Sequence, residues 1–299
     1  MKNFFYYVIL LPACISYNIV VFAQDEDLLK LVDNDKKEKE IVKNAFKSPR
    51  VINSHSMEFL RPGTMDFRIL HRFGPLDQGY KNFFGLDQAS MRMSFDFGIR
   101  QNLMAGVGRS TYKKELDAFI KYAPFLQSTG RGSFPVTIAL ASGITMDGLP
   151  WADPTRKNYF TSRLSYYFQA IVGRKISEGF SLQVVPTLVH KNLVQNAVDS
   201  NDIYSVGVGG RLRLSRRIAF TWDYFYVLNP LTGNSYENPL SVGFDIETGG
   251  HVFQLHFSNA TGMNERAFIT ETTGNWMKGE VRFGFNLSRV FQIKKKKLG

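Results

Sequence analysis

The residues best placed to do chemistry are charged side chains that occupy every second position between apolar ones. In Met91 to Arg100, Met91, Met93, Phe95, Phe97 and Ile99 alternate with Arg92, Ser94, Asp96, Gly98 and Arg100. Near the end of the chain Val281, Phe283, Phe285 and Leu287 alternate with Glu280, Arg282, Gly284, Asn286 and Ser288. A period of two sends the two sets to opposite faces of a strand. Collected over all such segments, the polar faces supply Arg68, Arg92, Asp96, Arg163, Arg211, Arg213, Asp223, Asp245 and Arg282. Unpaired charges cannot face the core of a soluble sandwich. The pattern, charged inside and apolar outside, is that of a membrane barrel. Fixed guanidinium groups in a lumen lower the barrier for anions, so these residues offer passage or binding of a small anionic solute. The same residues could also form a self-neutralising ladder of ion pairs that fills a closed lumen.

Other chemistries find little support. The histidines are His55, His71, His190, His251 and His256, and only the last two are close, on opposite strand faces. That spacing is no metal-ligand pattern, and neither a metal nor another cofactor is expected. Ser56 beside His55 and Ser258 near His256 are superficial nucleophile candidates without an activating context. No Gly-x-Ser-x-Gly elbow is present, so the expectation is a protein that is not an enzyme. The single cysteine, Cys14, lies within residues 1–23, which leaves no disulfide to stabilise the rest.

The elements that must position the charged faces are strands. Twelve candidates follow from Thr64 onward, over 64–73, 91–100, 103–111, 117–127, 135–145, 158–175, 180–190, 202–214, 218–228, 239–247, 251–259 and 278–291. Short connections at 177–179, 215–217 and 248–250 alternate with long ones at 74–88, 146–157, 191–201, 229–238 and 260–277, as periplasmic turns and outer loops do. The reading is an all-β, antiparallel up-and-down transmembrane barrel of about twelve strands over 63–292, with ten or fourteen as alternatives. Twelve strands fall between a barrel filled by its own side chains and an open channel. Tyr80, Tyr112, Trp151, Tyr159, Tyr204, Trp222, Tyr236 and Trp276 lie near strand ends, as interfacial girdles require.

Residues 1–23, with Lys2, the apolar run Phe4 to Leu11 and Val21-Phe22-Ala23, read as a cleaved secretory signal. Residues 24–62 read as a periplasmic arm and lead-in, with an amphipathic helix over 25–47 carried by Leu28, Leu29, Leu31, Val32, Ile41, Val42 and Phe46. This arm is either a partner-docking element or a tether. Residues 293–299 form a basic tail. The formal net charge of +11 favours anionic partners, among them outer-membrane lipid headgroups. Nucleic acid is not expected, because the cations are scattered singly except at Lys294 to Lys297.

Several strings carry a family resemblance: Phe46-Lys-Ser-Pro-Arg-Val-Ile-Asn-Ser-His-Ser56, His71-Arg-Phe-Gly74, Gly85-Leu-Asp87, Gly108-Arg-Ser110 and Gly284-Phe-Asn-Leu-Ser-Arg-Val-Phe291. The chain resembles, from about Leu28 to Phe291, the outer-membrane β-barrel family of Gram-negative bacteria termed domain of unknown function 5777. The resemblance implies a barrel in the outer membrane, built by the barrel-assembly machinery, and transfers no site residue. Lys294 to Lys297 after Phe291 depart from the usual closing-strand signal. Two functions stay open: a narrow pore or binding barrel for a small anionic solute, and a non-conducting scaffold whose arm docks a periplasmic partner.

Overall fold

The computed structural model describes residues 38–232 and 235–294. The signal, residues 24–37 of the arm, and the tail beyond Lys294 lie outside the described residues. Twelve antiparallel strands form a closed barrel. They are β1 Thr64–Pro75, β2 Ala89–Arg100, β3 Leu103–Ser110, β4 Leu116–Phe125, β5 Thr137–Met146 and β6 Leu164–Lys175, followed by β7 Phe180–Lys191, β8 Asp202–Arg213, β9 Ile218–Val227, β10 Leu240–Thr248, β11 His251–Ser258 and β12 Arg282–Gln292. Each strand pairs with the next in sequence, and β12 closes on β1 through partners running from Gly284↔Arg72 to Gln292↔Thr64. Closure removes every unpaired edge, which a lipid environment requires.

Alternation decides which way each side chain points. In β1 the positions from Thr64 to Gly74 alternate buried and half-buried without a break, and Asp66, Arg68 and Arg72 are all on the buried side. In β2, Arg92, Ser94 and Asp96 point in while Met93 and Phe95 point out. The outer wall carries exposed Phe95, Val107, Ile120, Leu140, Phe168, Val206, Phe244 and Phe257. A continuous apolar surface of this kind belongs in lipid, not water.

The inner wall is less uniform than the charged pattern of β1, β2 and β12. On β6 to β9 the inward positions include Tyr167, Ile171, Val185, Val189, Ile203 and Phe225, which join one apolar cluster. The lumen therefore has an apolar side and a charged side. Both are covered. From the end bearing the short turns, residues 45–60 enter the lumen; from the end bearing the long loops, the connection between β11 and β12 folds in and carries a short helix, α1 (Glu265–Thr270), buried along its length.

Two expectations are corrected here. The described part of the arm is extended, not helical: Glu40 and Ile41 pair with Thr129 and Ser128 in the β4–β5 connection. The lead-in up to Leu60, expected on the periplasmic side, lies inside the barrel, where residues 48–57 are buried throughout. Two of the tyrosines expected in an interfacial girdle turn inward instead. Tyr112 donates to Glu271 at 3.1 Å and Tyr236 to the Ile269 carbonyl at 2.9 Å.

Candidate functional site

The plug, residues 45–60, is a hairpin-like loop with little regular structure. Arg50 and His55 form an isolated antiparallel bridge, the Val51 amide donates to the Ser54 carbonyl, and the Ser56 amide donates to the Pro49 carbonyl. Ser56 Oγ donates to the Ser48 carbonyl at 2.6 Å and steadies the two arms. An irregular buried backbone needs partners for its amides and carbonyls, and the inward side chains of the wall supply them. The amides of Asn53 and Ser54 donate to Asp223 Oδ2 at 2.8 and 3.0 Å, with the Ile52 amide at 3.4 Å. Gln183 accepts from the Met57 amide and donates to the His55 carbonyl. Lys121 Nζ donates to the carbonyls of Ser56 and Glu58, Asn286 to that of Ile52, Gln254 to that of Val51, and Arg211 to that of Ala45. Arg68 reaches Ser48 Oγ at 2.7 Å and Arg72 reaches Asn53 Oδ1 at 2.7 Å. Phe46, Val51, Met57 and Leu60 fill the apolar side.

The plug and α1 meet in the middle of the lumen. Arg50 Nη1 lies 2.8 Å from Glu265 Oε1, with both side chains 1% exposed. His55 Nε2 is 3.4 Å from the same carboxylate and 3.0 Å from Tyr167 Oη. Asn264 caps α1 by accepting from the Ala267 amide, and its Nδ2 donates to Glu115. Arg266 pairs with Glu115 and with Glu271. Lys113 and Lys191 reach Glu271 at 2.8 and 3.2 Å. Burial opposes ionisation of Glu271, but Arg266, Lys191 and Lys113 outweigh it and hold the carboxyl well below the usual glutamate range.

Of the residues expected to line a lumen, Arg68, Arg92, Asp96, Arg211, Asp223 and Asp245 are inward and buried. Arg92 grips Asp117 side-on, Nε to Oδ1 at 2.9 Å and Nη2 to Oδ2 at 2.5 Å. Its guanidinium crosses Gly108, where a Cβ would stand 2.4 Å from Nη2. Asp96 stands opposite Asp66 across the β1–β2 pair. Asp245 accepts from Gln254 at 2.6 Å. The other three lie elsewhere. Arg163 belongs to the β5–β6 connection, donates to the Asp147 carbonyl and covers the Trp151 ring at 3.9 Å. Arg213 has the inward parity but, as the last residue of β8 at the turn end, is exposed, and Arg282 is half-buried at the loop end of β12. Arg50, His55, Lys121, Gln183, Glu265 and Arg266 complete the site and were not anticipated. The first two sit in a stretch without periodicity, and the last two lie in what reads as an outer loop. The neighbouring serines do not engage the histidines: Ser56 bonds Ser48, and Ser258 meets Ser241.

A membrane barrel whose lumen is filled from both ends is the class that this geometry defines. Residues 46–291 match the family described as a membrane bound beta barrel domain, DUF5777, and the chain belongs to that family. The match begins within the plug, so the plug is part of the family's domain. Among solved structures the barrel is similar to the NanC porin (8% identity, 76% of this chain and 98% of that chain covered, TM-score 0.47). It is also similar to the KdgM porin (8%, 76% and 99%, TM-score 0.46) and to OmpT of Vibrio cholerae (12%, 76% and 77%, TM-score 0.37). Curated proteins yield no match.

Proposed function

We propose that this protein is a self-plugged barrel of the outer membrane of a Gram-negative bacterium, closed at rest, without enzymatic activity, and opened to a small anionic solute when residues 45–60 withdraw. The observation that carries the proposal is the occupancy of the lumen by the chain's own plug, held by hydrogen bonds from strands around the whole wall. With both barrel ends on the short-turn side, that side is periplasmic and the plug is rooted there. Withdrawal would strip plug partners from four wall cations, Arg68, Arg72, Lys121 and Arg211, and from one wall anion, Asp223. Asp117 and Asp66 keep partners within the wall, in Arg92 and Ser288. Arg68 keeps Asp66 at 3.5 Å, and Glu265 on α1 loses Arg50, so the groups left without their plug partners are Arg72, Lys121 and Arg211 against Asp223 and Glu265, a small positive excess that supports anion preference.

The test is single-channel recording in planar bilayers. The intact chain should insert, as judged by heat-modifiable mobility, and conduct rarely, while a chain lacking residues 45–60 should conduct with anion preference. A plug-deleted barrel that inserts and stays silent would refute the pore and favour a scaffold docking a periplasmic partner through its arm.

A further inference from the structure

The exposed charge of this barrel is distributed unequally between its two ends. At the loop end exposed Asp77, Asp87 and Asp153 and half-buried Glu280 mingle with exposed Lys81, Arg109, Lys114, Arg156, Lys157 and Lys278, so both signs are present there. At the turn end Arg100, Arg174, Arg213, Arg216, Arg217 and Arg289 are all exposed, and among the described residues none has a carboxylate within ion-pair distance. The acids at that end are few, and two of them are already taken: Glu178 pairs with Lys175 at 2.8 Å and Glu247 with Lys47 at 2.5 Å. Backbone bonds draw the cationic turns together. The Arg213 amide donates to the Gly179 carbonyl, and the Glu247 amide to the Arg217 carbonyl, so the β6–β7, β8–β9 and β10–β11 turns form one rim.

Apolar side chains are interleaved with these arginines. Ile176, Leu214 and Ile293 are each more than half exposed beside Arg174, Arg213 and the end of β12, and Arg289 lies 4.9 Å from the centre of the Phe291 ring. A soluble polyanion has no use for the isoleucines and leucine. A membrane interface accommodates both, with apolar tips in the acyl region and guanidinium groups at headgroup level. Guanidinium groups also match phosphate oxygens in a bidentate fashion.

We infer that the arginine rim at the turn end is a binding collar for anionic phospholipid headgroups of the leaflet on that side. The assignment of that leaflet as the periplasmic one rests on the reading above; the collar itself does not depend on whether the lumen conducts.

The collar is tested on the folded full chain in bilayer nanodiscs containing equal phosphatidylglycerol and phosphatidylethanolamine. Lipid that remains bound on release into detergent is counted by native mass spectrometry. Phosphatidylglycerol should be retained in about five-fold excess, the factor that a single cation confers at an anionic surface. The variant R174Q/R213Q/R216Q/R217Q/R289Q should retain both lipids equally, and a control with K81Q/K157Q at the loop end should keep the excess. Both variants are to show the heat-modifiable mobility of the folded barrel. Should the multiple variant fail to fold, the wild-type protein in high salt serves instead, and the excess should disappear there. Equal retention by the wild type, or an excess that survives loss of the five arginines, would overturn the collar. Selective capture of a soluble acidic polymer, with no lipid preference, would overturn it as well. A silent barrel with the lipid excess intact would count against the pore alone.

Discussion

The ion pair between Arg50 and Glu265 joins the plug to α1, which enters from the opposite end, so replacing Glu265 by Gln is a direct perturbation of the closed state. Both groups are buried and 2.8 Å apart. Removing one member of a buried pair costs about 3–5 kcal/mol, because the survivor stays charged without compensation. Arg50 keeps the Asn53 carbonyl at 2.6 Å and Phe119 at 5.8 Å, so the lower end of that range applies. At about 1.4 kcal/mol per factor of ten, a 3 kcal/mol loss confined to the closed state raises the open population by about two orders of magnitude. The assay is open probability in planar bilayers, with heat-modifiable mobility as the check that the barrel is folded. The double variant R50M/E265M removes both charges and fills the space with apolar atoms, an exchange that is often neutral. It should restore closure. If E265Q folds and conducts as rarely as wild type, or if the double variant leaks as freely as the single one, this pair is not the latch.

Three further outcomes are expected. Asp223→Ala removes the carboxylate on which plug amides converge, and at about 1.5–3 kcal/mol for a charge-assisted hydrogen bond it should open the plug to limited proteolysis while the barrel stays folded. Gly108→Val places side-chain atoms where Arg92 crosses to Asp117 and should destabilise the barrel by about 1–3 kcal/mol, read as a lower midpoint in urea. For Glu271 the folded-state pKa is depressed, so its contribution is full above the ordinary glutamate value near 4.3 and is lost only as pH falls through the depressed value. Hydrogen exchange of α1 should therefore remain slow at pH 4 in the wild type, and Glu271→Gln should abolish that protection at neutral pH as well.

The wall was legible because period two is unambiguous where one face carries charge. Arg92, Ser94 and Asp96 against Met93 and Phe95 admit one register, and a slip would place charges in lipid. The β6 to β9 wall was less legible, since Ile171, Val185 and Ile203 face inward and Val172, Val184 and Tyr204 face outward; an apolar residue on both faces says nothing about which is lipid. The plug was not legible as a lumen element. Ser48, Arg50, Asn53, Ser54, His55 and Ser56 have the composition of a surface loop, and their burial follows only from wall groups such as Asp223 and Lys121 that lie far away in sequence. Two glycines of the inner wall receive neighbours that no local pattern announces: the Phe225 ring lies over Gly207 and the Arg61 carbonyl against Gly98. Arg163 was misplaced because alternation was carried past the start of β6, and Arg213 because it is the last residue of β8, where parity stops meaning buried.

The seam between β1 and β12 has a bearing on the order of folding. It pairs Thr64 with Gln292, the most distant partners along the barrel, and β1 begins only a few residues after the plug ends at Leu60. Residues 45–60 occupy the lumen that this seam closes. The plug must therefore be in place as the last seam zips, or pass in through the turn end afterwards. Non-local closure is slow in any β-topology, and here it is gated further by a passenger that the first strand pulls in behind it. Where the plug is in place first, barrel closure and plugging are one event, and a chain without its plug should close faster than the intact one.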